Sequence, residues 1–163
     1  MDEGEDGDLG ILARRRIEAA IIAPIYDEMR KAIGEAQARE ILRCAIRRAA
    51  IEAGVEMASR AEGGANLESF KSIQQLWTKD NALTIEVIDD APGVFDFNVT
   101  RCRYAETYRA MGLGEIGDLL SCNRDGSFCE GYDPRIKLTR TQTIMSGASH
   151  CDFRYRSNPE PQT

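Results

Sequence analysis

The spacing of the apolar residues changes once along this chain, at about Ala82, and this change limits the folds open to it. Before that point apolar side chains recur every three or four residues, which is the period of an amphipathic helix. Beyond it they alternate with polar ones, as in Leu83, Ile85 and Val87, which is the period of a half-buried strand. The sequence therefore predicts an α+β fold, with N-terminal helices followed by an antiparallel sheet of about four strands that has helices on one face.

The helical half is predicted to contain two long helices and a short one. The first spans about residues 10 to 33, where Pro24 predicts either one bent helix or two short ones. The second follows Gly34 and runs to about Ser59, before a glycine pair. Asn66 is placed to cap a short helix that extends through Trp77.

One face of the second helix carries three arginines four residues apart, at Arg39, Arg43 and Arg47. Such a row could bind an anionic partner, or it could be a solvated face whose arginines pair with nearby glutamates. The second interpretation is favoured, because glutamates are frequent along the same helix.

The sheet half is predicted to begin with a hairpin whose turn lies at residues 89–93. A helical segment interrupted at Gly112 and Gly114 follows the hairpin, and two further strands end the fold. The predicted strands are Leu83–Val87, Phe95–Val99, Ile136–Ile144 and Cys151–Arg156, and the helical segment is Tyr104–Cys129.

The length of 163 residues fits one domain. Residues 1–9 are expected to be a disordered acidic tail, residues 10–157 a single α+β domain, and residues 158–163 a frayed end. Five units of the net charge of −6 come from the acidic opening, so the rest is nearly neutral. A neutral body predicts no nucleic-acid partner.

The location and the partners are also expectations from composition. The chain has no apolar run of about 18 residues, so no membrane partner is expected. It begins with acidic residues rather than a signal peptide, which predicts a cytoplasmic protein with reduced thiols. The expected partner is a small-molecule substrate, and self-association into a homo-oligomer is left open.

The residues that can carry chemistry are concentrated beyond residue 100, where the chain holds four of its five cysteines and its only histidine. If the last strand pairs with the second, three segments converge on one end of the sheet. Buried cysteines that serve only as small apolar residues are the alternative. The converging residues are Cys102 at the end of the second strand, Cys122 and Asp125 on the intervening helix, and Cys151 and Asp152 at the start of the last strand.

Two chemistries are open to these residues. A structural zinc site is disfavoured because no two cysteines are closely spaced, but Cys102, Cys122 and Cys151 or His150 could hold one divalent metal ion. Alternatively, His150 could take the proton of Cys122 or Cys102 to form a nucleophilic thiolate. Its neighbour Cys151 would point to the other face of a strand.

Arg140 lies inside the predicted third strand, where it could hold a substrate carboxylate through paired hydrogen bonds. A cross-strand ion pair is the alternative for this side chain.

Several segments together resemble the L-2-amino-thiazoline-4-carboxylic acid hydrolase family, from about Gly10 to Arg156. The segments that carry the resemblance are Arg16-Ile17-Glu18-Ala19, Ala23-Pro24-Ile25-Tyr26, Ile33-Gly34-Glu35-Ala36-Gln37-Ala38, Cys102 with Tyr104, Cys122 with Asp125, Arg140-Thr141-Gln142-Thr143, Gly147, and Cys151-Asp152-Phe153.

The resemblance implies a hydrolase, acting on carbon–nitrogen bonds in cyclic amidines, that opens a cyclic isothiourea-type amino acid to a carbamoyl amino acid. Such a reaction needs a nucleophile, a proton donor and a carboxylate anchor. On this hypothesis Cys122 or Cys151 is the thiolate or a metal ligand, and Asp125 and Asp152 are the acid–base or amidinium-binding carboxylates. Arg140 is the anchor, with Cys102 and His150 beside it. A non-catalytic sensor of a small molecule or a metal is the competing function.

Overall fold

The structure, a computed structural model, describes residues 9–158. The predicted acidic tail before Leu9 and the frayed end after Asn158 lie outside the described residues. The helices are α1 (Ile11–Ile33), α2 (Glu35–Ser59), α3 (Leu67–Ser72), α4 (Gln75–Thr78), α5 (Arg103–Ala110) and α6 (Asn123–Tyr132), with a 3-10 turn at Lys79–Asn81 and a π-helical turn at Asp118–Cys122. The strands are β1 (Leu83–Ala91), β2 (Val94–Cys102), β3 (Ile136–Thr139) and β4 (Cys151–Ser157).

The α+β fold class is confirmed. The four strands form one antiparallel sheet in the order β1-β2-β4-β3, so the last strand pairs with the second, as the convergence argument required. Alternating residues of β2 and β4 face one side, where Phe97 opposes Phe153 and Val99 opposes Cys151. Helices α3 and α6 cover that side through Phe70 and other apolar residues, and it forms the main core.

A second core lies among α1, α2, α5 and the π-helical turn. Helices α2 and α6 approach closely because Gly54 and Gly131 face each other's backbones. A Cβ on Gly54 would clash with the carbonyl oxygen of Phe128, and a Cβ on Gly131 would clash with that of Ile51. This close contact fixes the position of α6 and of the site residues at its start.

The helical predictions hold with two differences in detail. Helix α1 runs as one helix through Pro24, so the division into two short helices does not occur. Asn66 caps α3 and forms a capping box with Ser69, as its sequence position predicted. The helix that it begins nevertheless ends at Ser72, and α4 begins afresh three residues later.

The arginine row of α2 is engaged by acidic or carbonyl groups, as the favoured interpretation predicted. Arg43 pairs with Glu40 on its own helix, and Arg47 pairs with Glu130 of α6. Arg39 donates to the carbonyl oxygen of Glu115 at 2.8 Å. No helix within residues 9–158 has the length and the apolar character needed to cross a membrane.

The prediction that the third strand reaches Ile144 is wrong, because β3 ends at Thr139. The backbone amides of Thr141 and Gln142 donate to one carboxylate oxygen of Asp152 at 2.9 Å each. These amides are therefore not available to a strand ladder, and residues 140–150 form a loop instead. The loop carries Arg140 toward α6.

Candidate functional site

A cavity of about 550 Å³ lies between the first turns of α1, the second half of α2, the start of α6 and the inner face of the sheet. This volume is within the usual range for small-molecule sites. Six aromatic side chains belong to its apolar wall: Phe70, Trp77, Phe97, Phe128, Phe153 and Tyr155.

A smaller cavity of about 60 Å³ adjoins the first, because the two share lining residues that include Arg15, Arg124 and Asp125. Its lining adds the ends of β2 and β4, the π-helical turn and the loop after β3. Five of the residues singled out from the sequence line it together: Cys102, Cys122, Asp125, Arg140 and Cys151.

The other two candidates, Asp152 and His150, do not line either cavity. Asp152 accepts the two backbone amides of the loop and the hydroxyl of Thr141. His150 lies beside Ser149, whose Oγ is 2.9 Å from its Nδ1, and its carbonyl oxygen accepts a hydrogen bond from Gln142. Both residues therefore hold the loop that carries Arg140.

Arg140 contacts three groups at the edge of the smaller cavity. One guanidinium nitrogen donates to Asp125 at 2.5 Å, and the other donates to the carbonyl oxygen of Cys122 at 3.0 Å. The guanidinium carbon lies 4.9 Å from the centre of the Phe153 ring. Because its donors are committed to Asp125 and the backbone, Arg140 fixes the position of a carboxylate of this chain.

Asp125 is the carboxylate at the junction of the two cavities. Burial raises the pKa of Asp125 above its ordinary value, and the positive charges of Arg140, Arg15 and Arg124 offset this rise only in part. A carboxyl group with a raised pKa is better suited to accept and return a proton near neutral pH than an ordinary aspartate.

The three cavity thiols are held in the protonated state. Burial raises the pKa of Cys102 to about 11 and that of Cys122 to about 12, and it also raises the pKa of Cys151. The Cys102 sulfur accepts the Ala105 amide at the start of α5, and the Cys151 sulfur accepts the Ile144 amide. The fourth cysteine of this region, Cys129, is buried in the main core.

The sequence analysis missed a second charged cluster in the larger cavity. Arg15 on α1 donates to both carboxylate oxygens of Glu18 at 3.0 Å, and Arg124 on α6 lies 3.2 Å from the same carboxylate. Burial and the nearby charge of Arg15 together lower the pKa of Arg124 to about 10. The helical spacing of the sequence could have indicated this cluster, because it places Arg15 and Glu18 on the α1 face that also carries the buried Tyr26.

The charges of the five residues Arg15, Glu18, Arg124, Asp125 and Arg140 do not balance one another. When all are ionised, the guanidinium groups of Arg15, Arg124 and Arg140 face the carboxylates of Glu18 and Asp125, so one positive charge is in excess. Arg15 and Arg124 are largely buried, with side chains 17% and 13% exposed. A buried excess of positive charge favours an anionic ligand.

The metal predicted as one alternative has no obvious set of ligands. Within residues 9–158, no three of the histidine, cysteine, aspartate and glutamate side chains are grouped so that they could hold one ion. Whether a divalent metal is bound stays a prediction from the sequence.

Comparison with known proteins agrees with the resemblance. The model of the L-2-amino-thiazoline-4-carboxylic acid hydrolase family matches residues 14–155. A solved structure, the phenol-responsive sensory domain of the transcription activator PoxR with phenol, matches with a TM-score of 0.52 at 14% identity, over 90% of this chain and 76% of that chain. That likeness shows the fold alone. No curated protein matches the sequence. Because the family model spans most of its length, the chain belongs to the L-2-amino-thiazoline-4-carboxylic acid hydrolase family.

Proposed function

We propose that this chain is a hydrolase that opens a small cyclic amidine or isothiourea bearing a carboxylate, such as L-2-amino-thiazoline-4-carboxylate, to a carbamoyl amino acid. The observation that carries the proposal is the partly buried pair of Asp125 and Arg140 beside a cavity that holds six aromatic side chains and also Arg15 and Arg124. Family membership supports the reaction class, and the cytoplasm is the proposed location.

The substrate carboxylate is assigned to Arg15 and Arg124 rather than to Arg140. These two guanidinium groups share the single carboxylate of Glu18, so together they carry one uncompensated positive charge. Arg140 is already neutralised by Asp125. A carboxylate beside Arg15 and Arg124 would balance the buried charge and accept charge-assisted hydrogen bonds.

Asp125 is assigned the acid–base role. Its side chain is 25% exposed, and because it lines both cavities, a water molecule and the amidine carbon of a substrate can meet there. As a carboxylate it accepts a proton from the attacking water, and as a carboxylic acid it returns that proton to the departing atom. The raised pKa of Asp125 supports both halves of this cycle.

The bond changes follow from the product. Water oxygen bonds to the amidine carbon, the bond from that carbon to a ring heteroatom breaks, and the two water protons end on the ring nitrogen and on the released atom. In the thiazoline the released atom is the ring sulfur, because a carbamoyl product keeps both nitrogens on that carbon. The carbon–nitrogen cleavage expected from the sequence applies only to rings closed through nitrogen.

The remaining candidates are assigned supporting roles. Cys102, Cys122 and Cys151 form a dry wall beside Asp125, which contributes to the burial that raises its pKa. Arg140 is a positioning residue that holds Asp125, and Asp152 and His150 hold the loop from which Arg140 extends.

The test is Asp125→Asn, assayed by mass spectrometry for the carbamoyl product of L-2-amino-thiazoline-4-carboxylate and of related cyclic amidines. We expect turnover to fall by about 10³-fold, because an amide cannot take the proton of water. The wild-type kcat should fall as the pH drops through a value above the ordinary range of aspartate.

Asp118→Asn is the matched control, since Asp118 is 44% exposed and lies 3.7 Å from Arg39, away from both cavities. It should keep full turnover. Equal turnover in wild type and Asp125→Asn would remove Asp125 from the mechanism.

A sensor of a small aromatic ligand is the second candidate function, favoured by the aromatic wall of the larger cavity. A sensor would be stabilised against unfolding by its ligand without consuming it. Melting temperatures measured with the cyclic amidines and with phenol, beside product analysis of the same samples, separate the two functions. Stabilisation by phenol with no product from any amidine would favour the sensor.

A further inference from the structure

The outer face of α1 exposes a stripe of three isoleucines that nothing in the described chain covers. Ile17, Ile21 and Ile25 are 62%, 63% and 52% exposed. The opposite face of the same helix packs into the second core through Ala19 and Tyr26. Exposed positions of a surface helix are normally polar, and a contiguous apolar stripe of this kind marks an interaction surface.

The residues of this stripe are arranged symmetrically about Ile21. Ile17 and Ile25 lie four residues to either side of it, and Arg14 and Glu28 lie seven residues to either side, on the same face of α1. When two copies of such a helix pack antiparallel about a two-fold axis at Ile21, each Ile17 meets the Ile25 of the other copy. Each Arg14 then faces the Glu28 of the other copy, so that opposite charges meet at both ends of the interface.

We propose that the isoleucine stripe of α1 is the interface of a homodimer, in which α1 packs antiparallel against α1 of a second copy. A two-fold interface must be complementary to itself, and the order of basic, apolar and acidic residues along this face meets that requirement. The spacing of three and four residues along the face is that of helices that pack side by side.

The acidic residue at one end of the stripe can change partner at little cost. Glu28 is bound to Lys31 of its own helix at 2.9 Å, with both side chains about three-quarters exposed. Such exposed pairs contribute little to stability, so Glu28 can turn to Arg14 of a second copy. Arg14 donates to the carbonyl oxygen of Leu9 through its Nε and also lines the larger cavity, so its side chain has to turn toward the second copy when the dimer forms.

A second exposed apolar surface, on the edge strand β1, is less suited to self-association. Val87 and Ile88 are 52% and 53% exposed there. They lie beside Glu86, Asp89 and Asp90, and two copies of this edge would bring like charges together. The α1 stripe is flanked instead by charges of opposite sign.

The test is sedimentation velocity of the 163-residue chain from about 1 to 500 µM, since one helix from each copy gives a small interface and an expected Kd of roughly micromolar strength. Wild type should shift from monomer to dimer over this range. Ile21→Glu should weaken the dimer by at least about 100-fold, because it places two carboxylates together at the two-fold axis. Ile88→Glu is the matched control and should associate like wild type, with circular dichroism showing that both variants fold.

Charge exchange tests the antiparallel register. Arg14→Glu and Glu28→Arg should each weaken the dimer, and the double variant should restore it, because the pair is then complementary again with its signs reversed. Three results would overturn the proposal: a wild type that stays monomeric at every concentration, loss of the dimer in Ile88→Glu, or a double variant that associates no better than either single one.

Discussion

The two walls of the candidate site differ in whether their side chains are charged. The thiol wall, formed by Cys102, Cys122 and Cys151, is dry, and burial keeps its groups neutral by raising their pKa values. The arginine wall, formed by Arg15, Glu18 and Arg124, keeps its charges because each guanidinium has a carboxylate within 3.2 Å. Asp125 lies between the two walls and lines both cavities.

The difference shows that residue type alone does not decide which groups do chemistry. Thiols are strong nucleophiles only as thiolates, and nothing that lines the smaller cavity is a histidine that could take their protons. Arginine remains charged even when partly buried, since its ordinary pKa is far above neutral. On the proposed function, the arginine wall binds the substrate carboxylate, and the apolar surroundings of the thiol wall lower the local dielectric constant and strengthen that interaction.

The largest effect on the difference between the two walls is expected from Arg124→Met. This variant removes one charge from the arginine wall and keeps much of the side-chain volume. Glu18 stays paired with Arg15 in this variant, so no carboxylate is left alone. We expect the KM of a carboxylate substrate to rise roughly 30-fold, equivalent to about 2 kcal/mol for one lost charge-assisted contact, with little change in kcat.

Arg140→Lys is the companion variant for the Arg124 prediction. A lysine at this position keeps the charge but loses the planar fork that joins Asp125 to the Cys122 carbonyl. It should lower kcat more than it raises KM. If Arg140→Lys instead raises KM and Arg124→Met does not, the carboxylate anchor is Arg140, as the sequence analysis first proposed.

A smaller effect is expected from Cys122→Ser and Cys151→Ser, measured by turnover and urea unfolding. Each places a hydroxyl in an apolar wall, which should lower the free energy of unfolding by about 1 to 2 kcal/mol. Turnover per folded molecule should change less than about threefold, because a protonated thiol is not the nucleophile.

Cys44→Ser, on the exposed side of α2, is the control for these two variants and should change neither quantity. Loss of turnover in Cys122→Ser or Cys151→Ser at an unchanged melting temperature would contradict the conclusion that the thiols stay neutral. That result would return the thiolate role to the cysteine concerned.

Much of the architecture could be predicted from the sequence because it depends on periodicity. The switch from helical to alternating spacing located the sheet, and the matching faces of β2 and β4 led to the convergence of Cys102, Asp125, Cys151 and their neighbours. The location of the sheet follows from the local spacing of apolar residues, and the convergence of the site residues follows from pairing β2 with β4.

The features that could not be predicted depend on contacts between distant segments. The end of β3 at Thr139 follows from Asp152, eleven residues beyond Thr141, which takes two backbone amides away from the ladder. The Glu18 cluster joins residues 106 positions apart in the chain, and no spacing rule relates α1 to α6. Pro24 remains within α1 because it lies on the exposed face, where an unpaired carbonyl can be hydrated.

The smallest effect concerns Asp152, which lies outside both walls and supports the loop that carries Arg140. Burial raises its pKa, but the hydrogen bonds from Thr141 and Gln142 outweigh burial and lower the pKa from 3.8 to about 2. A carboxyl group with a lowered pKa in the folded state stabilises that state above its unfolded pKa, and this contribution is lost as the pH falls from 3.8 towards 2. Asp152→Asn keeps an oxygen for the two amides but has no charge to lose. Wild type should therefore be the more stable protein in urea near neutral pH, and the difference between the two should shrink as the pH falls from 3.8 towards 2. A stability difference that stays constant down to pH 2 would show that the Asp152 charge does not hold the loop, and the position of Arg140 would then depend on its own contacts with Asp125, the Cys122 carbonyl and Phe153.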